Sequence, residues 1–235
     1  MNSIEQNLAN LKNSLFPSIP LAGLVSRNPV AYKWKSTFRC MMLREAVFWR
    51  MYDLLNQSYV LHQQGHGLGA RILLRSAFES LATLIYLNQH IQQVLDGKLN
   101  FHVFSQKTST LLLGSRNDST LPQSINIVTV LEKCNKRYSG LKSLYADLSE
   151  SAHPSYEGLC LGYSTTNHSD YETTFSNRWM ELYGDSHLGS MDLCMEIFHL
   201  EYNDVWADLI VKLENWIEAN DAELEVTKND PLPAG

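Results

Sequence analysis

Residues 68–87 read LGARILLRSAFESLATLIYL, with neither Gly nor Pro after Gly69 and apolar side chains on nearly every side. A helix of that composition cannot lie on a surface and must be covered by other elements. Arg71, Arg75 and Glu79 interrupt it at i, i+4 and i+8, so they share one face. A charge on such a helix is costly unless it is paired and hydrogen-bonded. Arg before Glu is the weaker order for an exposed i,i+4 pair, so surface decoration explains the trio poorly. Two readings stay open. One is an internal polar site in which Arg75 presents its guanidinium to an anion while Glu79 orients it. The other is a buried ion pair that fixes helix register.

The elements around this helix are read from apolar spacing. Cys40, Leu43, Val47, Met51, Leu54, Ser58 and Leu61 recur at steps of three and four, which predicts a long helix over 36–64, interrupted at 65–69. Further helices are expected over 100–113, over 122–138 with Pro122 as first residue, and from Leu141 to a break near Ala152 imposed by Pro154. The last strong element is expected over 189–219, with Leu193, Ile197, Leu200, Asp204, Ala207, Val211, Leu213 and Ile217 on its core side. Segment 158–190 is polar and exceeds the roughly 2 to 8 residues usual for a bundle connection, so it holds a short helix near 177–183 or serves as a lid or partner loop. No strand-like alternation persists. The expected fold is all-α, a helical bundle with a long polar loop before the last long helix. The expected organisation is an N-terminal helix and connector over 1–35, the bundle over 36–219 and a disordered tail over 220–235.

Composition narrows the function classes. Lys+Arg 19 against Asp+Glu 25 give a net charge of −6, which argues against a generic nucleic-acid coat. The four Cys, at 40, 134, 160 and 194, form no CxxC pair and are expected as reduced core thiols. The start MNSIEQNLANLKNSLF lacks the pattern of a secretory leader, and no apolar run approaches the ~18 to 20 residues of a membrane span. A cytoplasmic protein without membrane contact is expected. His153, in LSESAHPSYEG, falls at a helix C-terminus, where the macrodipole favours the imidazolium, so it is read either as a proton carrier near neutral pH or as a helix cap.

The segments RSAFESLATLIYL and LYADLSESAHPSYEG together resemble a bacterial family of helical proteins of unassigned function close to the HEPN superfamily, over about residues 36–219. The resemblance rests on an Arg followed four residues later by Glu, and on a later Ser, at 149 or 151, paired with His153 before a helix break. It implies an all-α HEPN-like bundle, often a homodimer, in a superfamily that includes metal-independent ribonucleases of toxin and phage-defence systems. Carried over, the catalytic set is Arg75, Glu79 and His153, accompanied by Arg71, Ser149, Ser151 and Tyr156 as binding residues for RNA or a nucleotide. In that scheme His153 takes the proton of a ribose 2′-hydroxyl, Arg75 stabilises the phosphorane charge and Glu79 holds Arg75, with no cofactor or metal. The chain departs from the superfamily's nuclease motif, which sets a His five to seven positions after an Arg; no Arg here has one.

Two rivals belong to other classes. One is a non-enzymatic helical interaction or immunity partner in which Arg75 and Glu79 are structural. The other is a di-iron carboxylate bundle built from Glu45, Glu79 and the pairs Glu150/His153 and Glu196/His199, although the order of these residues along the chain is wrong for that class. His62 and His66 have metal-ligand spacing but flank a helix end. Phosphate-loop, nucleophile-elbow and zincin motifs are absent from the sequence. Trp34, Trp49, Trp179, Trp206 and Trp216 are read as packing anchors, and the run with Lys33, Lys35 and Arg39 as a solvated basic face.

Overall fold

Two long helices carry most of the apolar sequence, α4 (Ser36–Gln63) and α5 (Gly67–Leu95), separated by a turn in which Gly65 takes a φ of +78°. The computed structural model describes residues 4–232. Residues 1–3 and 233–235, the ends of the expected N-terminal segment and tail, lie outside the described residues. Around the long helices come α1 (Ile4–Asn13), α2 (Leu21–Arg27), α3 (Pro29–Lys33), α6 (Phe101–Leu113), α7 (Ile127–Cys134), α8 (Leu141–Ala152), α9 (Trp179–His199) and α10 (Trp206–Thr227). The chain is mostly helical, as expected. Side-chain caps define several starts: Asn28 accepts from the Ala31 amide at α3, Asn100 from those of His102 and Val103 at α6, and Asn126 from that of Val128 at α7.

Two compact units form from interleaved stretches. One takes Met1–Ser14, Trp49–Leu81 and Cys134–Ile197; the other takes Leu15–Phe48, Ala82–Lys133 and Phe198–Gly235. Neither coincides with the expected division into 1–35, 36–219 and 220–235. In the first unit the buried side chains include Met51 and Leu55 of α4, Leu74, Phe78 and Leu81 of α5, Leu148 of α8, and Trp179 and Cys194 of α9. In the second they include Cys40, Leu43, Val47 and Phe48 of α4, Leu84, Ile85, Leu87, Ile91 and Val94 of α5, Phe104 of α6, and Trp206, Leu209 and Leu213 of α10. Each such side chain contributes roughly 1.5 to 3 kcal/mol of transfer free energy, which makes α5 the heaviest apolar element. Buried carboxylates in the second unit are paired: Glu214 accepts from Arg27 at 2.6 Å and from the Tyr32 hydroxyl at 2.9 Å, while Glu45 accepts from Arg44 and from the Tyr202 hydroxyl.

Several expectations are corrected. Pro122 does not open a helix: its carbonyl accepts from the Ser115 amide in a turn, and the helix waits for the Asn126 cap. The polar segment is more than a loop, and its alternative of a helix near 177–183 holds as the first part of α9. It holds a π turn (Tyr156–Leu161) and an antiparallel hairpin of β1 (Ser164–Asn167) and β2 (Glu172–Phe175). Thr-rich strands of four residues gave too short an alternation to stand out. The last helical stretch starts ten residues earlier than expected, and a second π turn (Leu200–Val205) follows α9. Leu193, Leu200 and Val211 are therefore exposed, and the buried face runs through Met191, Cys194, Met195 and Phe198, then Trp206, Leu209, Leu213 and Ile217. With Tyr202 between Phe198 and Trp206, that face keeps steps of three and four, and the expected set is out of phase with it. Cys160 and Trp49 are exposed, unlike the other three Cys and the other four Trp.

The expected disordered tail is also corrected. Residues up to Thr227 are helical; Asp221 accepts from Lys33 at 2.7 Å and from the Trp34 indole at 2.8 Å, and Leu224 is buried. Leu224→Ala should therefore destabilise the protein by about 2 to 5 kcal/mol. Thermal melting checks this, since a substitution in a disordered tail would leave the midpoint unchanged.

Candidate functional site

The first unit brings the charged face of α5 against α8. Arg75 donates from Nε to Ser149 Oγ at 2.9 Å and from Nη2 to the Tyr145 hydroxyl at 2.5 Å, and its Nη1 pairs with Glu79 at 3.1 Å. Tyr145 in turn donates to Glu79 at 2.8 Å, which closes a ring of Arg75, Tyr145 and Glu79. Every nitrogen of this guanidinium has a partner. Burial, and then the hydrogen bond to Glu79, push the Tyr145 hydroxyl above its usual range. The Arg75 and Glu79 side chains keep 24% and 25% exposure, so this ring is partly wet and not sealed in the core.

One turn earlier, Arg71 is in a different position. Its side chain is 7% exposed. Nε donates to Ser151 Oγ at 2.7 Å, Nη2 donates to the Asp147 carbonyl at 3.1 Å, and the guanidinium carbon lies 3.8 Å from the centroid of the Tyr183 ring. The nearest carboxylate is Glu157, whose Oε1 stands 4.0 Å from Nη2, too far for a hydrogen bond. Ser151 spans that gap by donating to Glu157 Oε1 at 3.0 Å. Among the described residues Arg71 Nη1 makes no hydrogen bond. Burial lowers the Arg71 pKa, opposed by the charges of Tyr183, Glu157 and Asp147. Tyr183 is raised by burial and by its hydrogen bond to Glu157. The cluster thus holds a nearly buried cation with no carboxylate in hydrogen-bond range, which leaves donor capacity for a ligand oxyanion.

Glu157 owes its place to a local device. Pro154 ends α8 at Ala152, and the π turn begins two residues later, capped by Ser155. A Cβ at position 158 would sit 2.0 Å from the His153 carbonyl oxygen, so only Gly158 lets the turn close there.

The sequence-derived residues separate into two groups. Arg71, Arg75, Glu79, Ser149 and Ser151 come together. His153 and Tyr156 do not: both are exposed, and among the described residues no hydrogen bond, ion pair or ring contact joins His153 to Arg71, Arg75 or Glu79. Its backbone is already extended at the end of α8, which turns the residue away from the helical repeat carrying Tyr145 and Ser149. The di-iron set does not assemble either. Glu150, His153, Glu196 and His199 are exposed, Glu45 is held by Tyr202, and among the described residues no group of three His, Cys, Asp or Glu could hold a metal ion. Lys33 of the basic run is neutralised by Asp221 and by Glu225 at 2.9 Å.

Sequence reasoning missed Glu157, Tyr183 and a histidine pair. Tyr183 and His187 are four apart on α9, a spacing that could have marked a common face. Ser58 Oγ donates to the Ala70 carbonyl at 2.8 Å, so it accepts from His187 Nε2 at 3.0 Å, while His62 Nε2 donates to the Gly184 carbonyl at 2.9 Å. The two rings stack at 5.1 Å. Burial, then the positive charges of His62 and Arg71, bring the His187 pKa down to about 4.

Because the Arg75 ring is partly wet, Arg75→Ala should cost about 1 to 2 kcal/mol, below the 3 to 5 kcal/mol of a sealed pair, and Arg75→Met with Glu79→Leu should recover most of it by chemical denaturation. For His187 the native state disfavours the proton, so the unfolded chain binds more of it between pH 6.5 and about 4. The stability this residue contributes is complete above pH 6.5 and is lost as pH falls, by on the order of 3 kcal/mol. Denaturation of His187→Asn should show a flatter dependence over that window.

Comparison with curated proteins and with solved structures gives no match. Residues 46–143, a stretch that includes Arg71, Arg75 and Glu79 and stops before Ser149, Ser151 and Glu157, match a family of unknown function, DUF5677.

Proposed function

We propose that the chain is an HEPN-like protein that binds the phosphate of a nucleotide or nucleic acid, with Arg71 as the receiving group. The observation that carries this reading is the Arg71 guanidinium: 7% exposed, 4.0 Å from its nearest carboxylate, and with Nη1 free of hydrogen bonds among the described residues. A buried cation so held gains most from an anion that brings its own charge and acceptors. Arg75 has a supporting part, since its ring with Glu79 and Tyr145 anchors α8, whose Ser151 hydroxyl and Asp147 carbonyl position Arg71. A net charge of −6 opposes a long polyanion and is compatible with a single phosphate group.

RNA cleavage is the further step that the resemblance implies, and it would pass through His153 as proton acceptor. The ring is exposed and unengaged, so it can act only on a chain that reaches it from solvent. The rival reading of a non-enzymatic partner protein draws on the hairpin, whose Tyr171 and Phe175 side chains are almost wholly exposed.

The test is calorimetric titration at low salt with adenosine 5′-monophosphate and a short 5′-phosphorylated RNA. The wild type should bind, Arg71→Gln should lose at least about tenfold in affinity, and His153→Ala should bind as the wild type does while losing any RNA turnover. No binding by the wild type, or unchanged binding by Arg71→Gln, would overturn the reading.

A further inference from the structure

Arg71 and Glu157 are joined through a serine hydroxyl and not directly to each other. Arg71 Nη2 and Glu157 Oε1 are 4.0 Å apart, and the Ser151 hydroxyl joins them, accepting from Arg71 at 2.7 Å and donating to Glu157 at 3.0 Å. The serine has used its one proton, so it has none to give a ligand. Glu157 has further acceptor capacity, because a carboxylate offers about four lone-pair positions and, among the described residues, Ser151 and Tyr183 take two of them. Its side chain is 24% exposed against 7% for Arg71, so it is the more accessible of the two. A ligand entering there meets a donor cation and an acceptor anion together.

Resting on the reading of Arg71 as the anion receiver, we infer that the site selects an oxyanion that carries its own proton, a phosphate monoester in its monoanionic form. The unprotonated oxygens take the Arg71 guanidinium, and the P–OH donates to the Glu157 carboxylate. A sulfate ester of the same shape and charge has no proton to offer. Its oxygen would meet the Glu157 lone pairs without a hydrogen between them, leaving two acceptors opposed. An internal phosphodiester fails in the same way. Glu157 is thus a specificity determinant that favours a free nucleotide or a phosphorylated end over the interior of a strand.

Phenyl phosphate and phenyl sulfate at pH 5.5 isolate the proton, since both are then largely monoanions on one scaffold. The wild type should bind the phosphate about tenfold or more tightly than the sulfate. That preference should weaken as pH rises past the second ionisation of the phosphate, near 6. Glu157→Gln, whose amide can donate to either ester, should bind both alike, and Arg71→Gln should bind neither. Equal affinity for the two esters in a wild type that still depends on Arg71 would overturn the inference and leave the phosphate-binding reading intact. A preference that survives in Glu157→Gln would also overturn it. If the wild type binds neither ester, both the inference and the reading fall.

Discussion

A guanidinium on an apolar helix must find hydrogen-bond acceptors, and in the first unit that demand determines what lies against α5. Apart from Glu79 on α5 itself, Arg71 and Arg75 take their acceptors from one short helix: Tyr145, the Asp147 carbonyl, Ser149 and Ser151, all on α8. The two helices meet with matched order, the later Arg against the earlier residues of α8, which is an antiparallel pairing. Apolar packing alone would permit such a helix to slide or rotate with little penalty. Pairing two forked cations with two hydroxyls and a phenol does not, because each Nε–H and Nη–H has a fixed direction. Register is thereby specified, at a desolvation cost that the surrounding apolar burial offsets.

Much of this was legible in the sequence, because it rests on local periodicity. The α5 trio is three charges in an otherwise apolar stretch, and the end of α8 follows from the backbone restriction that Pro154 places on His153. The buried positions of α4, from Cys40 to Ser58, obey the helical spacing directly. Ser149 and Ser151 could be picked out because they stand four and two residues before His153 in a motif. The function of His153 could not be fixed in the same way, because it depends on where the chain points after leaving the helix.

What remained illegible depends on contacts between residues distant in sequence or on departures from ideal repeats. Glu157 becomes part of the site only because a π turn, made possible by Gly158, folds it back beside Ser151. Tyr183 and His187 are ordinary residues of α9 until Arg71 and Ser58 lie against them. The helical tail is held by Lys33 and Trp34, from the opposite end of the sequence. Its acidic, apolar-poor composition carries no sign of those partners.

The two arginines also show how one residue type, repeated after a single turn, can serve opposite ends. Arg75 has Glu79 four residues along its own helix, so its charge is balanced within α5 and its other nitrogens can orient α8. Arg71 has Ser76 after five positions and Arg75 itself at four, so no carboxylate is available along its helix. Its counter-charge must come from elsewhere in the fold. Glu157 comes close without closing the gap, and the serine between them keeps both oriented. A tight Arg71–Glu157 pair would be a sealed structural bridge with little affinity left for a ligand. A vacant partner position with no carboxylate nearby would leave the desolvation of Arg71 uncompensated and strain the unit's stability. Holding the pair at 4.0 Å through a hydroxyl meets both constraints, keeping the cation tolerable when empty and responsive when an anion arrives.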